Sequence, residues 1–263
     1  MRIIRSFLIA ISMYSKIPAP RCEWKDEDMK YVFCFFPLIG VVIGGLVYAW
    51  TFFCNRFELT ELLRVCITAA IPVIVTGGIH VDGFMDTMDA FHSYRDREKK
   101  LEILKDPHIG AFSVIMLALY GLVFAGSLSL INRFDSIIIF CLVFVLSRCL
   151  SGFLAINFKS AKEGTLNYFS KNSSKVLVSI VVIIEAIICL AGMGLINIFL
   201  MIAVLISALI TIIYYCLKTK KEFGGVTGDT AGYFLLILER NALIAIVLVK
   251  FLMELLVKAE VFA

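Results

Sequence analysis

The chain has 263 residues, of which 60% are hydrophobic and 17% charged, with a formal net charge of +4 and a mean hydropathy of +0.94. Soluble globular proteins hold about 45–50% apolar residues, so a water-soluble enzyme or binding module is excluded, and the modest charge points to no nucleic-acid partner. The apolar runs are continuous, whereas a membrane β-barrel needs alternating segments of about ten residues; the fold expected is all-α, a polytopic integral membrane helical bundle set in a lipid bilayer.

The first segment, 1–20, carries Arg2 and Arg5 before an apolar stretch of signal-peptide length. No Ala-x-Ala cleavage site follows, so it reads as an uncleaved amphipathic interfacial helix closed by Pro18 and Pro20. Apolar runs long enough to span a bilayer then lie near 31–54, 61–79, 109–131, 136–158, 176–192, 194–217 and 231–257. Glu239, Arg240 and Asn241 interrupt the last one, which is expected to break there or bend around a polar site. The expectation is about seven transmembrane helices plus the N-terminal interfacial helix, in a single membrane-embedded domain over 1–263. The eight cysteines show no Cys-x-x-Cys and sit mostly inside apolar runs, as small buried hydrophobes in a reduced setting.

Lysine and arginine alternate between loops. The segment before the first span holds Arg2, Arg5, Lys16, Arg21, Lys25 and Lys30, and the 80–108 loop holds Arg95, Arg97, Lys99, Lys100 and Lys105. The 159–175 loop holds Lys159, Lys162, Lys171 and Lys175, and 218–230 holds Lys218, Lys220 and Lys221, while the intervening turns hold two, one and none. By the positive-inside rule the amino terminus and these three loops are cytoplasmic.

Asp82, Asp86 and Asp89 stand at i, i+4 and i+7, within about 60° on a helix. Two carboxylates about 6 Å apart repel by roughly 3 kcal/mol at an effective dielectric near 20. A divalent cation relieves that repulsion, and Mg²⁺ favours a few carboxylates with phosphate oxygens and water. His80, two residues earlier, either bonds the cluster or acts as an acid–base group. Lys105-Asp106-Pro107-His108-Ile109-Gly110 opens the third span; the plain reading has Asp106 as helix cap and Pro107 at the first helical position. Arg148, in the middle of the fourth span, costs roughly 2.5–3.5 kcal/mol unless it faces a protein interior. Arg240 and Glu239 carry the same argument, and Glu185 is a candidate ion-pair partner for either arginine. Gly224-Gly225-Val226-Thr227-Gly228-Asp229 precedes a helix, where glycines let backbone N–H groups approach phosphate. Its plain reading is a flexible turn capped by Asp229 or Thr230.

These residues together describe a membrane-embedded Mg²⁺ site suited to phosphoryl or nucleotidyl transfer. The Asp-Gly-x-x-Asp-x-x-Asp order resembles the acidic signature of the CDP-alcohol phosphotransferases, although Phe84-Met85 replaces its Ala-Arg. A closer resemblance is to the cobalamin synthase (adenosylcobinamide-GDP ribazoletransferase) family, over nearly the whole chain. It runs through Ile17-Pro18-Ala19-Pro20, Phe36-Pro37-Leu38-Ile39-Gly40, the stretch from Gly77 to Asp89, Lys105 to Gly110, Leu146-Ser147-Arg148, Ala161-Lys162-Glu163-Gly164 and Gly224 to Asp229. Val81 stands where many members have Glu, and Ala90 where Gly is common.

The resemblance implies that adenosylcobinamide-GDP and α-ribazole, or α-ribazole 5′-phosphate, combine with release of GMP, with Mg²⁺ as cofactor and the site facing the cytoplasm. Asp82, Asp86, Asp89 and Asp229 are then the metal candidates, with Asp229 an alternative proton acceptor and His80 an orienting or shuttling group. Arg148, Lys105, Lys162 and Arg240 are candidates to neutralise phosphate charge, beside Asp106, Gly224, Gly225 and Thr227. A homo-oligomer, or a complex with other cobalamin-assembly enzymes, is compatible with this reading. The alternative is an ion or solute transporter using the aspartates as its path; transporters place such sites near the midplane between repeats, and no repeat is visible here.

Overall fold

The computed structural model describes residues 2–20 and 24–262, with side chains through residue 258, so Arg21 and Cys22 lie outside the described residues. The chain is helical, as expected. In order come α1 (Arg2–Tyr14), a 3-10 helix (Asp26–Phe35), α2 (Phe36–Arg56), α3 (Glu61–Thr76), α4 (Ile79–His92) and α5 (Arg97–Ile103). Then follow α6 (Ala111–Ser129), α7 (Phe134–Asn157), α8 (Thr165–Asn172), α9 (Lys175–Ile196), α10 (Ile198–Glu222) and α11 (Gly228–Phe262).

Among the described residues, five helices are long and apolar enough to cross a membrane, or six if the bent pair α3–α4 counts as one span. The chain is a membrane protein. The bilayer-facing character shows on α6, α9 and α10, which turn Leu122, Ile188 and Leu217 outward. α7 is the buried centre, with Ile139, Phe144, Ser147 and Arg148 almost wholly enclosed. It packs on α2 through Gly40 and Gly44, where a Cβ at Gly44 would lie 2.6 Å from the Cys141 carbonyl oxygen. Small residues four apart let two backbones touch, which is how helices associate where no hydrophobic force separates lipid from protein.

Two expected spans differ from their sequence reading. The 61–79 run is not one straight helix: α3 ends at Thr76, and α4 leaves it at 95°. Gly77 and Gly78 both adopt left-handed backbone, at φ +64° and +83°, a conformation that costs glycine nothing sterically. Their N–H groups donate to the carbonyls of Ile74 and Val73 and close the end of α3. The 231–257 run does not break at its polar triplet but continues as α11. Each polar group there finds a partner: Glu239 meets Arg148 and Ser147, Asn241 donates to the Thr211 hydroxyl at 3.1 Å, and Arg240 donates to the Asn241 side-chain oxygen at 2.9 Å.

The amphipathic first segment forms as expected. α1 exposes Ile3 and Ile4 while burying Ile9 and Ala10, and Ser6 ties it to the 3-10 helix by donating to the Asp28 carbonyl at 2.6 Å.

Candidate active site

The site is built by two helix starts that cross almost in backbone contact. A Cβ on Gly83 of α4 would sit 2.7 Å from the carbonyl oxygen of Asp229 on α11. Three residues further along α11, a Cβ on Gly232 would sit 2.9 Å from the carbonyl oxygen of His80. Phe84 stacks on Tyr233 at 5.8 Å beside this crossing. The two glycines bring Asp82 and Asp86 from one helix and Asp229 from the other to the same end of the bundle.

The four acids hold different positions. Asp89 is committed to helix capping: its two oxygens accept from the backbone N–H groups of Gly110 and Ser113, each at 2.8 Å. These are open donors of the first turn of α6. Asp106 is therefore not the cap expected at this helix. It forms a local turn instead, accepting from the His108 N–H at 3.0 Å and pairing with the His108 ring at 2.6 Å. Those contacts hold its carboxyl below the usual carboxylate range. Asp82 is exposed and Asp86 half-buried, and the hydrogen bonds among the described residues engage Asp89 and Asp229 but not these two.

Asp229 sits in the first turn of α11, where the helix dipole favours an anion. Lys162 donates to it at 2.8 Å, and the Thr227 hydroxyl lies at 3.3 Å. The cap of α11 is Thr227, not Asp229 or Thr230: the Thr230 N–H donates to the Thr227 hydroxyl at 3.1 Å, while the Thr227 N–H donates to the Thr230 hydroxyl at 2.8 Å. Reciprocal bonds of this kind define a capping box. The glycines before it serve close packing. Gly224 (φ +75°) lies under the Arg97 guanidinium, and Gly225 packs against the Lys159 carbonyl beside the Ser160–Val226 bridge.

The three basic loops meet here. Arg97 donates to the Phe223 carbonyl at 2.7 Å, Lys100 pairs with Glu222, and Lys162 also reaches the Leu104 carbonyl at 3.3 Å. Lys105 and Lys162 line a polar chamber that includes Thr227 and Asp229. Arg148 lies elsewhere. It is 1% exposed and pairs with Glu239, not with Glu185, while its Nη1 donates to the Ser147 hydroxyl at 2.8 Å and the Phe144 carbonyl at 3.1 Å. His80 links the two regions: it lines one cavity with Asp82 and Asp229 and another with Arg148 and Glu239. Arg240 is half-buried on α11, one residue beyond Glu239.

Sequence reading overlooked Gly83, Gly232 and the Lys100–Glu222 pair. The glycines were visible within Asp-Gly-Phe and Ala-Gly-Tyr, but only their meeting in space shows their purpose. The ion pair joins residues 122 apart and leaves no local pattern.

A family model described as cobalamin-5-phosphate synthase matches residues 6–248. A protein of Lachnoclostridium phytofermentans named adenosylcobinamide-GDP ribazoletransferase is 42% identical over 251 residues, covering 95% of this chain and 96% of its own. Proteins of the same name from Clostridium perfringens and Clostridium tetani are 36% and 32% identical, each covering 88% of this chain and 92% of their own. No solved structure gives a significant match.

Proposed function

The chain belongs to the cobalamin-5-phosphate synthase family, transferases of cobalamin synthesis, and from that premise we propose that it joins adenosylcobinamide-GDP to α-ribazole or α-ribazole 5′-phosphate with release of GMP. A ribose hydroxyl attacks the cobinamide-side phosphorus, its oxygen–phosphorus bond forms as the bond to GMP breaks, and its proton passes to a carboxylate. The observation that carries this reading is the crossing of α4 and α11 at Gly83, which sets Asp82 beside Asp229.

The residues fit Mg²⁺. Among the described residues no three His, Cys, Asp or Glu side chains are arranged to hold a metal by themselves. Mg²⁺ instead favours one or two carboxylates completed by substrate phosphates and water. Asp82 and Asp86, one turn apart with oxygens not spent on protein hydrogen bonds, supply that donor set. When bound there, Mg²⁺ neutralises charge on the phosphate oxygens.

The remaining roles follow from position. Asp229 accepts the hydroxyl proton. Its partner Lys162, together with Lys105 and the amino end of α11, faces the growing charge on the leaving phosphate. Asp89 holds the start of α6 against α4, and so positions Asp86 from the next turn. His80 lines the cavity that holds Asp82 and Asp229, and the Arg148–Glu239 pair fixes α7 to α11. The convergence of the three basic loops supports a location in the cytoplasmic membrane with the site facing the cytoplasm.

The test is GMP release by the purified protein reconstituted in bilayers. Release that needs both substrates supports the proposal, and no release with both substrates and Mg²⁺ present refutes it.

A further inference from the structure

Two chambers adjoin at the α11 amino end and share Thr165, Leu166, Gly228 and Asp229 in their walls. Their chemistry differs. One, of about 260 Å³, carries Lys105, Lys162, Asn167 and Thr227, together with Glu163, whose charge Lys171 pairs. The other, of about 200 Å³, sets Met13, Tyr14, Phe33 and Phe36 opposite Asp82 and Asp229. It also holds His80, which is 7% exposed and whose buried Nε2 has no hydrogen-bond partner.

We propose that the aromatic chamber takes the planar heterocyclic base of the nucleoside substrate, while the polar chamber takes the leaving, guanosine-side phosphate of the other substrate, so that the attacked phosphorus lies at the boundary of the two chambers, beside Asp82 and Asp229. This assignment rests on the reaction proposed above. A flat bicyclic base gains from burial and from edge or offset contact with Tyr14, Phe33 and Phe36. A leaving phosphate needs cations and open N–H donors, which the lysines and the start of α11 provide. The opposite placement sets a multiply charged anion against phenylalanines and an apolar ring against lysines. With each substrate in its own chamber, the attacking hydroxyl and the leaving phosphate meet at the wall the chambers share, beside Asp229.

The experiment separates the two Michaelis constants. Ala155, 5% exposed, lines only the aromatic one of these two chambers, and Ala155→Leu fills it. The KM for α-ribazole is expected to rise at least about tenfold with that for adenosylcobinamide-GDP changed less than about twofold. Lys105→Ala is expected to show the reverse pattern. If Ala155→Leu does not fold, Met13→Ala decides instead, since it removes chamber contacts and raises the α-ribazole KM about tenfold. Equilibrium dialysis of α-ribazole alone, against wild-type protein and the folded variant, checks that the change lies in binding. Equal shifts in both KM values, or unaltered α-ribazole binding, overturn the two-chamber assignment. Absence of GMP release from wild-type protein is a separate result, and it overturns the reaction itself.

Discussion

Gly83→Ala probes the construction of the site without touching any charged group. The added Cβ would lie 2.7 Å from the Asp229 carbonyl oxygen and 2.9 Å from its Cα. Ordinary contact begins near 3.4 Å, so the helices must separate by about 0.7 Å. Both sides of the contact are backbone, and no flexible side chain can move aside. Overpacking of this kind costs about 1–3 kcal/mol. The functional cost is larger, because a misplacement near 1 Å between reacting groups lowers rates about 100-fold. Thermal unfolding of the purified variant should show a modest loss, and GMP release at saturating substrate should fall by about tenfold to a hundredfold. Gly121→Ala is the control: no atom lies within 4 Å of the Cβ it adds, and helix propensity makes it neutral or stabilising by up to about 1 kcal/mol. A Gly83→Ala protein with wild-type stability and turnover would refute the reasoning.

Three further outcomes follow from the same geometry. Asp89→Ala removes the acceptor for two N–H groups of α6 and should lower stability by about 1–2 kcal/mol, read as a lower unfolding midpoint; an unchanged midpoint contradicts the capping role. Arg148→Met strands the buried Glu239 and should destabilise by about 3–5 kcal/mol, while Arg148→Met with Glu239→Leu should recover most of that loss; a tolerated single variant shows that the pair does not hold α7 to α11. A cysteine introduced by Glu98→Cys, on the exposed face of α5, should react with a membrane-impermeant thiol reagent only in inverted vesicles, and labelling of intact cells reverses the proposed orientation.

The sequence carried much of the fold in its hydropathy, because a bilayer demands long apolar helices and leaves few alternatives. It also carried the acidic motif, whose spacing predicts one helical face. What it did not carry was which acid does what. Asp89 looks like Asp82 and Asp86 in spacing, yet its oxygens meet the start of α6, a contact between residues 21 and 24 apart. Glu185 was the partner the sequence suggested for Arg148, and only the packing of α7 beside α11 identifies Glu239 instead. The bend after α3 was signalled by Gly77-Gly78, but glycine is frequent in membrane helices generally, so the pair alone does not announce a bend. Gly40-x-x-x-Gly44 and Thr227-x-x-Thr230 were local signals that could have announced the α2–α7 contact and the α11 cap. The aromatic chamber, assembled from α1, the 3-10 helix, α2, α4, α7, α8 and α11, has no local signature.

The most direct test of the central claim, that Asp82 and Asp86 hold Mg²⁺ where the pyrophosphate is cleaved, is a Mg²⁺ titration of GMP release by wild-type and Asp86→Asn protein. The wild type should depend on Mg²⁺, and Asp86→Asn should lose turnover at every Mg²⁺ concentration or recover part of it only at far higher ones, with its unfolding midpoint in Mg²⁺-free buffer equal to or above that of the wild type because one repelling charge is gone. Equal turnover and the same Mg²⁺ dependence in the two proteins would contradict the assignment.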